Sequence, residues 1–280
     1  MSRNTPEISL GISPCPNDTY IFHALLHDCL DLPFRVRLHM ADVEELNALA
    51  CRGELDVTKF SVGATAHIID DYALLRSGAA LGWGCGPLVV ARADMDAAAR
   101  ATARVAIPGR MTTANLLLDL TDAFHGPREE MLFDAVMPAV LAGKADCGVI
   151  IHEGRFTYAE KGLVRLLDLG QWWEAAFAMP LPLGAIAAHR RLDPHLARAV
   201  EAAIRQSLDY ANAHPEASRA FIRAHAQELS DSVTTAHIKT FVTDFSRELG
   251  TAGEKAIAAL VERAARIQGR TAPLPPLFVA

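Results

Sequence analysis

Short apolar strands alternate with helices repeatedly along this chain. Residues 8–12 alternate apolar and small polar side chains, which predicts a strand. A helix with apolar residues at helical spacing follows, and then come a strand over 34–40, a helix that begins at Asp42 and a strand over 56–60. Such a pattern predicts a parallel sheet covered by helices, that is, an α/β fold.

The same alternation returns in the middle of the chain. Strands are predicted over 104–107 and 147–151, a return strand over 181–188, and mostly helices from Asp193 onward. We therefore expect two lobes with a ligand cleft between them. We expect the chain to cross between the lobes after residues 91 and 186. These crossings place residues 1–91 and 187–280 in lobe 1 and residues 92–186 in lobe 2.

Composition excludes several classes of partner. With 27 Lys and Arg against 33 Asp and Glu, the net charge of −6 offers no basic excess for nucleic acid. No apolar run reaches the ~20 residues of a membrane-spanning helix, so no membrane is expected as a partner. The first residues lack the apolar core of a signal peptide, which predicts a cytoplasmic protein. The alanine-rich helices near the C-terminus leave a homodimer possible.

The cysteines and histidines predict neither a disulfide framework nor a metal site. The five cysteines are scattered, odd in number and form no Cys-x-x-Cys pair. The sequence contains no His-Glu-x-x-His motif, so metal catalysis has no support.

Polar residues follow two strands of the first α/β segment, at the sheet edge where open parallel sheets bind ligands. After the first strand, a proline-stiffened turn leads into a helix, and Asn17 and Thr19 are candidates to hold a polar or anionic group there. After the third strand, Lys59 and Ser61 are candidates to bind a carboxylate. The alternative for both segments is structural, namely caps of the helices that follow. Cys15, between two prolines, is a weaker candidate for a nucleophile.

Two more polar clusters follow strands of the second segment. A glycine turn leads into a helix headed by Thr112, Thr113 and Ala114, whose N–H groups and helix dipole suit an anion. The alternative is a simple threonine cap. After the strand at 147–151 come His152, Glu153 and Arg155; a neutral imidazole can accept a proton near pH 7.

Three motifs together resemble the 1,4-dihydroxy-6-naphthoate synthase family of the futalosine route to menaquinone. They are Ser-Pro-Cys-Pro-Asn-Asp-Thr-Tyr-Ile-Phe-His-Ala-Leu from Ser13, Val-Thr-Lys-Phe-Ser from Val57, and Gly-Val-Ile-Ile-His-Glu-Gly-Arg-Phe-Thr-Tyr from Gly148. The resemblance extends over nearly the whole chain.

This resemblance implies a two-lobed fold similar to the type II periplasmic binding proteins. It implies a lyase, acting without a cofactor, that converts cyclic dehypoxanthine futalosine to 1,4-dihydroxy-6-naphthoate and dihydroxyacetone. His152 matches the family's proton acceptor, Lys59 and Ser61 match a substrate-contacting strand end, and Thr112–Ala114 match a helix-start contact. Asn17, Thr19, Glu153 and Arg155 are candidates from their placement alone.

Two other functions remain open at this point. A chorismate dehydratase of the same pathway shares the fold, although the long motifs from Ser13 and Gly148 weigh against it. A non-catalytic cytoplasmic protein that binds a small anion would use the same lobes and release no product.

Overall fold

A computed structural model describes residues 5–226 and 230–280. Its strands form two separate sheets, which meet the expectation of two α/β units. The strands of the first sheet are β1 (Glu7–Ile12), β2 (Arg35–Met40), β3 (Val57–Ser61), β4 (Tyr72–Leu74), β5 (Ala80–Gly82) and β11 (Leu181–His189). The strands of the second are β6 (Leu88–Ala91), β7 (Val105–Ile107), β8 (Arg128–Glu130), β9 (Cys147–Ile150) and β10 (Val164–Asp168).

Each sheet combines parallel strands with antiparallel return strands. In the first sheet the order is β2-β1-β3-β11-β4, with β5 paired to β11. Strands β1, β2 and β3 run parallel, and β11 pairs antiparallel with β3. In the second sheet the order is β10-β6-β9-β7-β8. There β7, β8 and β9 run parallel, and β6 pairs antiparallel with β9. The carboxyl ends of the parallel strands are therefore grouped at one edge of each sheet.

Helices connect the strands and cover the sheets. Those that precede β11 are α1 (Pro16–Ile21), α2 (His23–Leu26), α3 (Val43–Cys51), α4 (Thr65–Ile68), α5 (Ala97–Thr102), α6 (Thr113–Leu120), α7 (Phe133–Leu141), α8 (Gly154–Thr157) and α9 (Leu169–Phe177). A 3₁₀ turn lies at Val62–Ala64. The C-terminal helices are α10 (Pro194–Ala213), α11 (Arg219–His225), α12 (Asp231–Phe241), α13 (Asp244–Arg247) and α14 (Gly250–Ile267).

The sheets divide at different residues from the predicted lobe boundaries. Strand β6 was assigned to lobe 1 but pairs with β9 and β10 in the second sheet. The predicted lobe boundary after residue 186 falls inside β11, but the whole strand belongs to the first sheet. The difference arises because a buried apolar strand has the same pattern in either sheet, and its partners are distant in sequence. We propose that the chain passes from the first lobe to the second between β5 and β6, and that it returns to the first lobe just before β11.

Several local predictions also need correction. The helix predicted after Asn17 is two short helices, α1 and α2, that meet at Phe22. Strand β2 is an edge strand without a fully buried residue: Val36 and Met40 pack half-buried against the core, and Leu38 is exposed. The segment that forms β10 and α9 was not predicted.

The core is continuous between the lobes. One cluster of buried side chains joins Phe60 and Ala185 of the first sheet to Val89 and Val149 of the second, and helix α14 packs on it. Trp173 of α9 is among its largest members, with no exposed surface, and its indole N–H donates to the carbonyl of Pro180 at 3.2 Å. Trp173 therefore has a packing role in the shared core.

Within the part of the chain that the structure describes, none of the helices combines the length and apolar character needed to cross a bilayer.

Replacing Trp173 with alanine tests the importance of this shared core. We expect the free energy of unfolding to fall by about 3–5 kcal/mol, because a large cavity opens where both sheets pack. Trp83, which is 56% exposed, is the matched control, and its replacement by alanine should change stability by no more than about 0.5 kcal/mol. Urea titration followed by circular dichroism measures both. Equal losses in the two variants would contradict the assignment of the core.

Candidate active site

A cavity of about 80 Å³ lies between the lobes, where the carboxyl ends of strands from both sheets face each other. It is lined by residues of both lobes. Eight of the ten predicted site residues border it: Asn17, Lys59, Ser61, Thr112, Thr113, Ala114, His152 and Arg155. The topology therefore brings together polar clusters that lie far apart in sequence.

One wall of the cleft is built on a buried ion pair. Nζ of Lys59, at the end of β3, lies 2.7 Å from Oδ1 of Asp18, and both side chains are almost wholly buried. The other carboxylate oxygen, Oδ2, accepts hydrogen bonds from the backbone N–H of Ser13 at 3.1 Å and from its hydroxyl at 2.7 Å. Asn17 donates its amide to Oδ1 at 2.8 Å. The proline-stiffened turn after β1 is thus fixed to β3 through one carboxylate.

Ser61 borders the cleft beside this ion pair. Its hydroxyl accepts a hydrogen bond from Nδ2 of Asn47 at 3.3 Å, and Oδ1 of Asn47 accepts from the Ser61 N–H at 2.8 Å. Asn47 on α3 therefore sets the orientation of Ser61 toward the cleft.

The opposite wall contains the first turn of α6. Thr112 caps this helix, since its side chain accepts from the Asn115 N–H at 3.2 Å. The hydroxyl of Thr113 accepts from the Gly63 N–H at 2.9 Å and donates to the carbonyl of Leu183 at 2.6 Å. Both hydroxyls already make hydrogen bonds within the protein. The groups at the start of α6 that suit an anion are therefore the backbone N–H groups and the helix dipole.

His152 stands where β9 ends and faces the cleft from the second lobe. Its backbone is left-handed, with φ of 54°, which is uncommon for a residue with a side chain. The ring lies edge to face with Phe133, with centroids 4.9 Å apart. Burial lowers the pKa of His152 to about 4; Asp18 opposes this shift and Lys59 adds to it. The imidazole is therefore neutral at pH 7 and able to accept a proton.

Cys15 lies against the His152 ring. Its Sγ is 3.5 Å from Nδ1 and 3.7 Å from Nε2, so the sulfur does not lie along the direction of one ring nitrogen. Burial raises the pKa of the Cys15 thiol well above its usual value, and the nearby Glu153 raises it further. A thiol held neutral in this way is a poor nucleophile, so the geometry favours a packing role for Cys15.

Arg155 follows on α8 and borders the cleft. It donates to the carbonyl of Gly86, and its NH2 group lies 3.2 Å from Oδ2 of Asp168. Asp168 also caps α9 by accepting from the N–H groups of Gly170 and Gln171, both at 3.0 Å. The guanidinium is thereby held at the cleft by two neighbouring elements of the second lobe.

Thr19 and Glu153 do not border this cavity, and their contact with a ligand stays a prediction. Thr19 is wholly buried inside α1, and its hydroxyl donates to the carbonyls of Cys15 and Pro16 at 3.0 and 3.3 Å. The helix begins at Pro16, which turns Thr19 away from the cleft. Glu153 is also buried, and its Oε2 lies 3.7 Å from Nδ1 of His237.

His237 is a residue behind the cavity wall that the sequence did not connect to the site. It is wholly buried on α12, and its Nε2 lies 3.0 Å from Oδ1 of Asn17. Its ring stacks parallel to that of His152, with centroids 6.1 Å apart. A lone histidine in a polar helix, distant in sequence from His152, gives no local signal of this contact.

Within residues 5–226 and 230–280, no group of three or more His, Cys, Asp or Glu side chains is arranged to hold a metal ion.

Comparisons with known proteins identify what this chain resembles. A family model described as menaquinone biosynthesis matches residues 8–266. Two proteins called 1,4-dihydroxy-6-naphthoate synthase are similar over almost their full lengths. That of Thermus thermophilus is 50% identical, covering 97% of this chain and 99% of the relative. That of Streptomyces coelicolor is 44% identical, covering 95% and 94% respectively.

Solved structures confirm the expected fold class. A protein from Archaeoglobus fulgidus superposes with a TM-score of 0.89 at 32% identity, covering 95% of this chain and 99% of its own. A Candida albicans protein with the generic periplasmic binding protein fold gives a TM-score of 0.67 at 13% identity, covering 97% and 93%. At that identity the second likeness concerns the fold alone.

The buried ion pair predicts a large and specific loss of stability. Replacing Asp18 with asparagine removes the anion that Lys59 needs, and we expect unfolding to become easier by about 3–5 kcal/mol. The double variant Asp18→Asn with Lys59→Met should recover part of this loss, because it removes the stranded charge. The control is Asp231→Asn, which breaks an exposed pair with Arg223 and should leave the urea midpoint unchanged. If Asp18→Asn behaved like the control, the ion pair would not stabilise the site.

Proposed function

The chain belongs to the 1,4-dihydroxy-6-naphthoate synthase family of menaquinone biosynthesis, and we propose that it is itself such a synthase. In this proposal it is a carbon–carbon lyase of the futalosine route. It divides cyclic dehypoxanthine futalosine into 1,4-dihydroxy-6-naphthoate and dihydroxyacetone.

The observation that carries the proposal is the neutral imidazole of His152 at the cleft. A general base must be unprotonated at the working pH and within reach of the bound substrate. His152 meets the first condition through burial and borders the cavity between the lobes. The similarity to two synthases at 50% and 44% identity supports assigning this base to the same reaction.

The anionic parts of the substrate are assigned to the walls of the cleft. Lys59 and Ser61 offer an ammonium group and a hydroxyl on one side, and the first turn of α6 offers backbone N–H groups on the other. Arg155 supplies a second cation at the border of the cleft. Donors held by other contacts before the substrate arrives need little reorganisation as negative charge develops.

The proposed reaction needs no external electrons. His152 removes a proton from the bound substrate, and a retro-aldol-like step then breaks the bond to the three-carbon fragment. The electron pair of that bond stays with one product, which receives the proton back from the imidazolium of His152. The formation of an aromatic naphthalene ring favours cleavage. The lobes around the cavity would exclude water from the anionic intermediate.

The location and assembly of the protein remain predictions. We propose that it acts in the cytoplasm on a small anionic substrate, and that its helical C-terminal region permits a homodimer. Sedimentation of the purified protein would establish the oligomeric state.

Incubation with cyclic dehypoxanthine futalosine tests the function directly. We expect 1,4-dihydroxy-6-naphthoate by liquid chromatography and mass spectrometry. The His152→Asn variant should be slower by about 10²–10⁴, the usual contribution of a general base. Asparagine is chosen because it tolerates the left-handed backbone at this position.

The matched control is His195→Asn, the same change at an exposed position at the start of α10, which should keep full activity. Turnover by His152→Asn at the wild-type rate would remove His152 from the mechanism. Consumption of chorismate instead would assign the related dehydratase function, and binding without product would assign a binding protein.

The pH dependence of kcat/KM reports the base in the free enzyme. His152 must be neutral to act, and it is neutral above its pKa. Because burial lowers that pKa to about 4, activity should stay constant from pH 8 down to about pH 5 and fall only below that. An unshifted histidine would already be half inactive at about pH 6.5. Circular dichroism at each pH separates titration from unfolding. A midpoint near the unshifted value would contradict this environment for His152.

A further inference from the structure

Glu44, in the first turn of α3, joins the two sides of the cleft although it does not border the cavity. One carboxylate oxygen, Oε1, accepts a hydrogen bond from the backbone N–H of Met111 at 2.9 Å, in the turn that leads into α6. The other, Oε2, accepts from Nδ2 of Asn47 at 2.9 Å, on the same helix as Glu44. Met111 belongs to the second lobe and Asn47 to the first, so a single carboxylate connects the lobes beside the cleft.

The contact with Asn47 decides which way the hydroxyl of Ser61 donates. Oδ1 of Asn47 accepts from the Ser61 N–H at 2.8 Å, so the amide group that faces the hydroxyl is the NH₂. Oγ of Ser61 accepts from that NH₂ at 3.3 Å, and in the part of the chain that the structure describes its own hydrogen has no acceptor. Ser61 is 4% exposed and borders the cavity. Its O–H is therefore a buried donor that is left for a ligand.

On the other side of the cleft, the turn before α6 is shaped around the Glu44 carboxylate. A Cβ atom at Gly109 would lie 2.5 Å from Cδ and 2.6 Å from Oε2 of Glu44, so glycine leaves the room that the carboxylate occupies. Gly109 also has a φ of 144°, which a residue with a side chain rarely adopts. Its carbonyl accepts from the hydroxyl of Thr112 at 2.7 Å, and Thr112 caps α6. The carboxylate therefore controls the turn that carries the N–H groups at the start of α6.

A second contact holds the start of α6 independently of Glu44. The hydroxyl of Thr113 accepts from the Gly63 N–H at 2.9 Å and donates to the carbonyl of Leu183 at 2.6 Å. These bonds fix the first residue of α6 to the first lobe, whereas Glu44 fixes the turn before it. Loss of the Glu44 side chain should therefore displace the turn and leave the protein folded.

The surroundings of Glu44 oppose its charge. Burial raises the pKa of its carboxyl group, the hydrogen bonds from Met111 and Asn47 lower it, and the nearby Glu130 and Asp42 raise it. Within residues 5–226 and 230–280 no cation pairs with Glu44, and its hydrogen-bond partners are two N–H groups. The value of a glutamate here is therefore its reach to both N–H groups, since its negative charge is disfavoured.

We propose that Glu44 is a positioning residue for the anionic part of the substrate. It fixes the separation between the Ser61 donor and the N–H groups at the start of α6. This role rests on the proposed function, in which both groups bind negative charge, whereas the two hydrogen bonds of Glu44 exist without a substrate. Glu44 touches no reacting atom, and His152 enters the cleft from the end of another strand. We therefore expect the loss of Glu44 to weaken substrate binding and to leave the chemical step unchanged.

Amide hydrogen exchange followed by NMR tests the contact without any substrate. In Glu44→Ala, the Met111 N–H should exchange about tenfold faster or more, because it loses a hydrogen bond to a charged group. The matched control is Glu45→Ala, at the exposed neighbouring glutamate in the same first turn of α3, which should leave exchange at Met111 unchanged. Equal exchange at Met111 in the wild type and in Glu44→Ala would overturn the proposal even if the enzyme were fully active.

Turnover tests the role in binding. We expect Glu44→Ala to raise KM about tenfold and to keep kcat within about threefold, because it weakens binding equally in the ground state and the transition state. The Kd of 1,4-dihydroxy-6-naphthoate, measured by calorimetry, should rise by a similar factor. Glu45→Ala should keep both constants at their wild-type values. A loss of kcat at unchanged KM, or unchanged constants in Glu44→Ala, would overturn the positioning role.

Two conservative variants separate the reach of Glu44 from its charge. Glu44→Gln keeps the length and one acceptor oxygen for the Met111 N–H, whereas Glu44→Asp keeps the charge but is one methylene shorter. We expect the KM of Glu44→Gln to lie between those of the wild type and Glu44→Ala, and the KM of Glu44→Asp to equal that of Glu44→Ala. The opposite order would assign an electrostatic role and reject positioning.

Thermal melting checks that each variant is folded, and the comparison of Glu44→Gln with Glu44→Asp stands without the alanine variant. Failure of the wild type to make product, with hydrogen exchange at Met111 as expected, would reject the proposed function and leave the contact of Glu44 in place.

Discussion

The buried ion pair between Lys59 and Asp18 is the contact on which the site depends. A lone ammonium or carboxylate in this position would be costly, so each group requires the other and the hydrogen bonds around them. Through Asp18 the pair fixes the turn after β1, and through Lys59 it fixes the end of β3. The neighbouring strand must also fit: a Cβ atom at Gly184 of β11 would lie 2.9 Å from Cε of Lys59. The return strand therefore needs glycine where it crosses the lysine.

Close backbone contacts beside this ion pair connect the first lobe to the second. A Cβ atom at Gly63 would lie 2.9 Å from Cα of Thr113, so the glycine allows the start of α6 to approach the end of β3. Glu44 of α3 adds a second bridge, since its carboxylate accepts from the backbone N–H of Met111 at 2.9 Å. The cavity is thus bounded by two lobes that meet through one close backbone approach and one hydrogen bond from a backbone N–H to a carboxylate.

The sequence predicted those parts of the site that depend on local pattern. Strand ends, the cap at Thr112 and the polar cluster at His152 follow from periodicity and capping chemistry, and the structure brings them to one cleft. Sheet membership of β6 and β11 could not be predicted, because it depends on partners distant in sequence. Thr19 was predicted to face a ligand at the start of a helix. Helix α1 begins at Pro16, so Thr19 lies inside the helix and is buried. His237 was missed because its contact with Asn17 joins residues 220 positions apart.

The left-handed backbone of His152 is best understood from the same network. A side chain at positive φ costs of order 1–3 kcal/mol, and such a conformation persists only where the surroundings impose it. Here β9 delivers the residue from one side, Phe133 packs on the ring edge, and the turn continues into the buried Glu153. Glycine would relieve the backbone but would supply no imidazole. The strain is therefore the consequence of turning a base out of a buried strand toward the cleft, and the packing around Glu153 and His237 is what makes the turn stable.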